Sequence, residues 1–424
     1  MAISIPFQRV YEKHSSTALV YADQLLVSGF NFLIGIVIAR LLGIHGYGVY
    51  SLAWMGVLIA SSFQQAFVII PMQTFLLKKS GKEKYDYAGS LLIQQLVLSL
   101  AASVLSFVAL YVLSHFLHYP DLDTLIWSFP FVVFSYLMQD YFRKFYLNIG
   151  RNSLSILMDG IAYCGFTAIV LALSFVTELK VSHIFLIMAS TFLYAALLGL
   201  IKYPSIQLRM PQFNQHVKEN WRFSKWLVAS SVLQWFSGNY FILAAGSVLG
   251  PIAVGAVRMA QNIVGVTHVI FLAMENTVPT RASLIFHHNG TQALKKYLSK
   301  FTKRMGLAVL FLLVFIGLFA SFLIKLIYGP EFIMYANVLI GICVVYLFVF
   351  IGYPMRFALR AMEYTSSIFF AFVLTSIVSV IIAIPLLNWL GIMGVIAGLL
   401  LTQLINFVYY YFRIKKSFKE GDEL

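Results

Sequence analysis

The sequence predicts an all-α, polytopic membrane protein: twelve transmembrane helices in two six-helix lobes around a central cavity. Three observations predict it. Of 424 residues, 60% are hydrophobic and only 11% charged, a balance that excludes an ordinary soluble domain. Apolar runs of about 20 residues, enough to cross a ~30 Å hydrocarbon core as a helix, recur twelve times along the chain. The basic residues are sorted to one side. Twenty-six of the 30 lysines and arginines lie in the N-terminal stretch, the even-numbered loops and the C-terminal tail. Basic segments stay cytoplasmic, so both termini are expected inside.

The spans follow in order. Span 1 (18–42) comes after a polar stretch with Arg9 and Lys13 and reads as a start-transfer anchor, not a cleaved leader. Span 2 (47–76) is closed by Lys78 and Lys79, and span 3 (88–116) opens after Lys82 and Lys84. Span 4 (122–147) ends in Arg143 and Lys144. Span 5 (153–176) starts beyond Arg151, and span 6 (182–203) runs back in to Lys202. A basic stretch, 204–222, precedes span 7 (223–248). Span 8 (254–280) ends at Arg281, and span 9 (305–327) follows the Lys295–Arg304 cluster. Span 10 (332–355) ends at Arg356 and Arg360. Spans 11 (364–386) and 12 (390–412) complete the set, with Arg413, Lys415, Lys416 and Lys419 behind them. The expected organisation is an N-terminal lobe, 1–203, a cytoplasmic linker, 204–222, and a C-terminal lobe, 223–424, with a short basic tail.

The net charge of +14 first suggests nucleic acid. The sorting removes that partner, because topology already requires this charge, which also favours anionic lipid headgroups at the cytoplasmic surface. The outer loops are short and no soluble segment can form its own core. That weighs against a glycan polymerase or glycosyltransferase, which needs a sizeable aqueous catalytic site. No metal-ligand spacing, nucleophile triad, phosphate-cradling loop or ATP motif occurs, so neither an enzyme nor a cofactor is expected. Cys164 and Cys343 fall inside apolar spans and read as buried small hydrophobes. Asn289-Gly290-Thr291 matches a glycosylation acceptor by chance, in an inner loop.

Two turns repeat. Leu42-Gly43-Ile44-His45-Gly46-Tyr47-Gly48 and Leu249-Gly250-Pro251-Ile252-Ala253-Val254-Gly255 align at an offset of 207 residues, and Leu390-Gly391-Ile392-Met393-Gly394 is a weaker echo. Glycine permits the reversal, and a second glycine lets the next helix start close to its neighbour. The turns join spans 1 to 2 and 7 to 8, which divides the chain six plus six. Six is even, so the halves are parallel repeats about an axis along the membrane normal.

Polar residues concentrate in spans 1, 2, 7 and 8, whereas spans 3, 6, 9 and 11 are apolar enough to face lipid. In span 8, Arg258, Gln261, Asn262, Gly265, His268, Leu272, Glu275 and Asn276 follow helical spacing and share a face. Lipid satisfies no hydrogen bonds, so such a stripe needs water or a protein partner. Its repetition in equivalent spans favours an aqueous cavity, with helix–helix hydrogen bonding as the alternative for any single residue.

Arg40-Leu41-Leu42-Gly43 with Gly46-Tyr47-Gly48-Val49-Tyr50, and Leu249-Gly250-Pro251 with Gly255, resemble the polysaccharide transporters of the multidrug/oligosaccharidyl-lipid/polysaccharide exporter (MOP) superfamily, O-antigen flippases among them. The resemblance implies two six-helix lobes and alternating access. It also implies a cargo: an undecaprenyl-pyrophosphate-linked oligosaccharide carried from the cytoplasmic to the outer leaflet of a bacterial inner membrane. Glycan polymerases or glycosyltransferases would be its partners. Two other readings compete: a proton- or sodium-coupled exporter of organic cations, and a non-transporting scaffold of a glycan-assembly complex.

For an anionic cargo, Arg258 is the leading residue, since a guanidinium offers a fork of donors to phosphate oxygens. An ion pair with Asp23 or Glu275 is the structural alternative. Arg40 lies at the outer end of span 1, where snorkelling is an equal explanation. Asn31, Gln65, Asn239, Gln261 and Asn262 could hydrogen-bond sugar hydroxyls, with Trp235 and Tyr240 as flat faces. Arg281 would attract the pyrophosphate. Asp23, Glu275, Asp140, Arg143 and Asp159 are ion-coupling or salt-bridge candidates, with Asp140 and Arg143 spaced for a local pair.

Overall fold

The computed structural model describes the backbone of residues 5–117, 120–203 and 210–421. Side chains are described from residue 26, except 117, 120–121, 210–211, 276 and 417–421. Every regular element among these residues is a helix.

The twelve spans are present, although several run together. A helix from Ile5 to Gln64 contains one break, at Gly43 (φ 66°), and so carries span 1 and most of span 2. A π-helical segment, Gln65–Ile69, and a helix Ile70–Phe75 finish span 2. Spans 3 and 4 are Gly81–Leu117 and Ser128–Asn148. Span 5 is Asn152–Ser174 with a π-helical middle, Gly160–Gly165. Span 6 is Val181–Ile201 and span 7 lies in Met210–Val248. Span 8 starts as Pro251–Val264 and continues in Thr267–Leu318, which breaks at Gly290 (φ 71°) and becomes span 9. That break explains the Asn289-Gly290-Thr291 triplet as a helix reversal. Spans 10, 11 and 12 are Ala336–Ala361, Thr365–Leu390 and Ile392–Gly421.

By length and hydropathy alone, eight segments qualify as membrane-crossing. Two of them, Leu26–Phe75 and Thr267–Leu318, each hold parts of two spans. Span 4 fails because Asp140, Arg143 and Lys144 crowd one helix. Span 7 fails because Gln234, Ser237 and Asn239 lower its hydropathy. The spans that look least like membrane helices are thus the ones that carry polar chemistry.

Two compact units emerge. The first comprises Met1–Leu42 and Ala53–Val232, the second Gly43–Leu52 and Leu233–Leu424. In the first, span 4 is the central helix, packed on spans 3 and 6. Its Leu137, Tyr141, Phe142, Phe145 and Tyr146 are fully buried. In the second, span 10 is central, packed on spans 8, 9 and 12, with Leu339, Ile342, Phe357 and Leu359 buried. Spans 4 and 10 are equivalent under the six-plus-six repeat.

The Leu-Gly turns behave alike: Gly43, Gly250 and Gly391 all take positive φ (66°, 83° and 56°), which only glycine adopts at little cost. In the second unit the repeated turns meet. A Cβ on Gly48 would collide with the Pro251 carbonyl, and one on Gly255 would lie 2.5 Å from the Ile44 carbonyl oxygen. Ile44 and Pro251 are themselves equivalent at the 207-residue offset, so the contact is reciprocal. This close approach draws the turn and the first six residues of span 2, Gly43–Leu52 in all, into the second unit.

Apolar side chains on spans 3, 6, 9 and 11 face outward. Leu105 of span 3, Ile201 of span 6, Phe311 of span 9 and Ile381 of span 11 are each about two-thirds exposed or more. Cys343 is buried, but Cys164 is only half-buried, in the π-helical segment of span 5 and not in close packing as expected.

Candidate functional site

The second unit gathers a polar group around Arg258. One guanidinium nitrogen donates to Gln261 Oε1 at 2.8 Å, three residues on along the same helix face. Another donates to Asn239 Oδ1 at 3.0 Å, on span 7. Asn239 is itself oriented, since its Nδ2 donates to the Trp235 carbonyl at 2.9 Å. Both partners of Arg258 are neutral amides. Among the described residues no carboxylate lies within ion-pair distance. Glu275, one of the two expected partners, is 3.9 Å from Arg360. Asp23, the other, lies outside the residues whose side chains are described. The guanidinium is therefore geometrically held and, among the described residues, not paired with a carboxylate. A protein gains little from such a residue in apolar surroundings unless an anion visits it.

The next turn of span 8 extends the group. Asn262 Nδ2 donates to the Tyr328 hydroxyl at 2.7 Å. The Tyr328 ring lies 6.4 Å from that of Tyr47, at the start of span 2. His268 Nε2 shares a 3.0 Å hydrogen bond with the Tyr346 hydroxyl of span 10, which makes His268 a helix-contact residue. Four of the expected residues, Arg258, Asn239, Gln261 and Asn262, thus belong to one neighbourhood with Tyr47, Tyr328 and Tyr346. Sequence reasoning missed the tyrosines, because a chain with 24 of them offers no local sign of which reach a site 66 residues away.

The remaining candidates lie elsewhere. Arg40 and Asn31 are exposed on span 1, and Arg281 is exposed just beyond span 8. Gln65 belongs to a separate network in the first unit. Its Oε1 accepts from Lys144 Nζ at 2.7 Å, and the same ammonium pairs with Asp140 at 2.7 Å. Arg143 Nε pairs with Asp159 at 2.6 Å, and Gln139 Nε2 donates to the other Asp159 oxygen at 2.7 Å. The expected Asp140–Arg143 pair is corrected: Asp140 takes Lys144, one position further along the helix, and Arg143 crosses from span 4 to span 5. Asp159 is wholly inaccessible, so a local surface pair could not have satisfied it. The network is charge-balanced, two carboxylates against two cations. It is flanked by both π-helical segments, which start at Gln65 and directly after Asp159. π-Helical turns recur where a side chain must be re-aimed, and here they aim Gln65 and Asp159 at span 4.

Comparison with known proteins shows the fold and the family. The chain shares its fold with transporters of the MOP superfamily. The lipid II flippase MurJ aligns over 94% of this chain and 87% of its own, at 15% identity and a TM-score of 0.68. A eukaryotic MATE transporter aligns over 97% and 99%, at 11% identity and TM-score 0.64. A MOP-superfamily transporter from Pyrococcus furiosus aligns over 94% and 96%, at 14% identity and TM-score 0.60. The twelve-helix architecture agrees with these neighbours. Residues 37–337 match the polysaccharide biosynthesis protein family, and the chain belongs to that family. No curated protein sequence matches it.

Proposed function

We propose that this chain is a flippase that moves an undecaprenyl-pyrophosphate-linked oligosaccharide, such as an O-antigen unit, from the cytoplasmic to the outer leaflet by alternating access. The observation that carries the reading is Arg258: a guanidinium at membrane depth whose hydrogen-bond partners among the described residues are amide oxygens. Moving a pyrophosphate and its sugars through bare hydrocarbon costs many kcal/mol. A fixed cation in an aqueous path offsets the charge, and its two amide partners hold the donor fork in place for phosphate oxygens. Asn262, with the Tyr47, Tyr328 and Tyr346 rings and hydroxyls, supplies the mixed polar and flat surface that sugars favour. Arg40, Asn31, Gln65 and Arg281 complete the proposed path. Family membership supports a glycan cargo, and the shared fold with a lipid II flippase supports a lipid carrier. The bacterial inner membrane, cytoplasmic termini and polymerase or glycosyltransferase partners are part of the same proposal.

The competing reading, a cation exporter, needs carboxylates free to take a cation. Of the carboxylates singled out from the sequence, Asp140 and Asp159 are each matched by a basic side chain, Glu275 lies beside Arg360, and Asp23 lies outside the described side chains. Buried Asp86, with one oxygen unpartnered among the described residues, stands near the start of the span 3 helix, in the first unit and not in the Arg258 group. The Arg258 group itself favours an anionic cargo. In vesicles containing the purified chain and fluorescent lipid-pyrophosphoryl oligosaccharide, the cargo should reach the far leaflet. Arg258→Ala should slow that movement at least roughly tenfold, the worth of one or two charge-assisted hydrogen bonds, and Arg258→Lys should restore part of it. Efflux of organic cations without movement of the lipid would overturn the reading.

A further inference from the structure

The cytoplasmic end of the first unit holds a second basic site, unconnected with Arg258. A groove of about 590 Å³ runs between the end of span 2 and the start of the span 7 helix. Its apolar walls are Phe75 and Phe223, whose rings meet edge-on at 5.1 Å. Lys79, Lys218, Glu219 and Arg222 line its polar end. Lys79 is shared between Glu83 at 2.7 Å and Glu219 at 3.8 Å. Lys218 and Arg222, one helical turn apart, have no partner among the described residues.

The groove is built on a rigid support. His216, Asn220 and Ser224 form a buried stripe at i, i+4, i+8 that docks the linker helix onto span 3. His216 Nδ1 shares a 2.9 Å hydrogen bond with Ser90 Oγ. The Tyr87 hydroxyl donates to Asn220 Oδ1 at 2.8 Å, and Asn220 Nδ2 donates to Gln94 Oε1 at 3.0 Å. The adjoining face of the helix is thereby fixed toward the groove.

Depth decides the ligand. Phe75 and Phe223 stand at the hydrocarbon edge, the last turn of span 2 and the first of span 7. Lys218 lies five residues beyond Phe223, about 7 Å along a helix, which is roughly the thickness of one headgroup layer. Trp221, Trp226 and Leu77 are 53%, 71% and 57% exposed around it, as side chains of an interfacial belt are. An amphiphile fits this shape: an acyl chain against the phenylalanines, an anionic group among the cations. Glu219, part-exposed and 3.8 Å from Lys79, can also accept a hydrogen bond from the ligand. A phosphodiester bearing a free hydroxyl suits both features.

We propose that this groove binds the headgroup of an anionic glycerophospholipid of the phosphatidylglycerol type, taken from the leaflet on the basic side of the chain. The inference rests on the sidedness of the basic residues and not on the transport reading. Native mass spectrometry of the full-length chain with added phosphatidylglycerol tests it. One lipid should be retained at high collision energy. Lys218→Gln with Arg222→Gln should weaken retention roughly 10- to 30-fold, the effect of two headgroup-level cations, while Lys300→Gln with Lys303→Gln, an equal charge loss elsewhere, leaves it intact. All four positions are exposed, and an unchanged unfolding temperature confirms that each variant is folded. Undiminished retention in the groove variant overturns the proposal. So does displacement of the lipid by inorganic phosphate at comparable concentration, which marks a simple anion site. Preferential displacement by a polyprenyl pyrophosphate overturns it too, because the groove would then serve the cargo.

Discussion

At the scale of single residues, the chain treats its intramembrane charges in two ways. Arg258 is held by neutral amides and left with its charge available. Arg143 and Asp159 are held by each other. The second arrangement makes a sharp prediction. Asp159→Asn strands Arg143 without its buried counter-charge, which costs about 3–5 kcal/mol in comparable sites. The variant should unfold at a clearly lower temperature in detergent, and adding Arg143→Leu should recover much of the loss. If Asp159→Asn is as stable as the parent, the pair is not structural and the ion-coupling role becomes the better account. Arg258→Ala should behave oppositely, losing transport with little loss of stability.

At the scale of elements, close approaches and docking faces decide what moves together. Gly48 and Gly255 admit the carbonyls of Pro251 and Ile44, and neither backbone atom can retreat. Gly48→Ala and Gly255→Ala should each destabilise by about 1–3 kcal/mol, as overpacking does, Gly48→Ala the more, because its added carbon meets the facing carbonyl more closely. Gly238→Ala meets open space and should be tolerated; thermal unfolding of the three variants checks this. The linker helix is predicted to be pH-sensitive. Burial, and then repulsion from Lys79, hold the His216 imidazole below its ordinary 6.5, against weaker opposite pulls from Glu219, Glu83 and Asp86. A depressed folded-state pKa means the unfolded state takes up the proton first. The stability contributed by docked, neutral His216 is therefore complete above about pH 6.5 and is lost as the pH falls through the lower folded value. Hydrogen exchange over residues 212–224 should accelerate below pH 6, and His216→Gln should flatten that dependence.

At the scale of the whole molecule, the charge sorting assigns a side to every loop. In a cysteine-free background, Lys180→Cys should react with impermeant thiol reagents from outside, and Lys295→Cys only after the membrane is opened. The reverse pattern would invert the topology. Much of this scale was legible in the sequence. The twelve apolar runs, the Leu-Gly turns at a fixed offset and the lipid-facing character of spans 3, 6, 9 and 11 need only composition, periodicity and glycine's φ freedom. The site was legible in part. Helical spacing put Arg258, Gln261 and Asn262 on one face, but Asn239, Tyr328 and Tyr346 come from other spans, and no local pattern says which side chains meet across tens of residues. The Asp140–Arg143 pair failed for the same reason: the nearest opposite charge along the helix was not the nearest in space.

By itself, then, the sequence determined what membrane solvation imposes: helix number and the places where the backbone reverses. Each follows from the cost of exposing peptide groups and charges to hydrocarbon, a cost paid locally along the chain. Only the tertiary structure decided which charges are neutralised and which stay available, because that depends on distances between helices. Arg143 finds a carboxylate on the next span, and Arg258, among the described residues, finds amides.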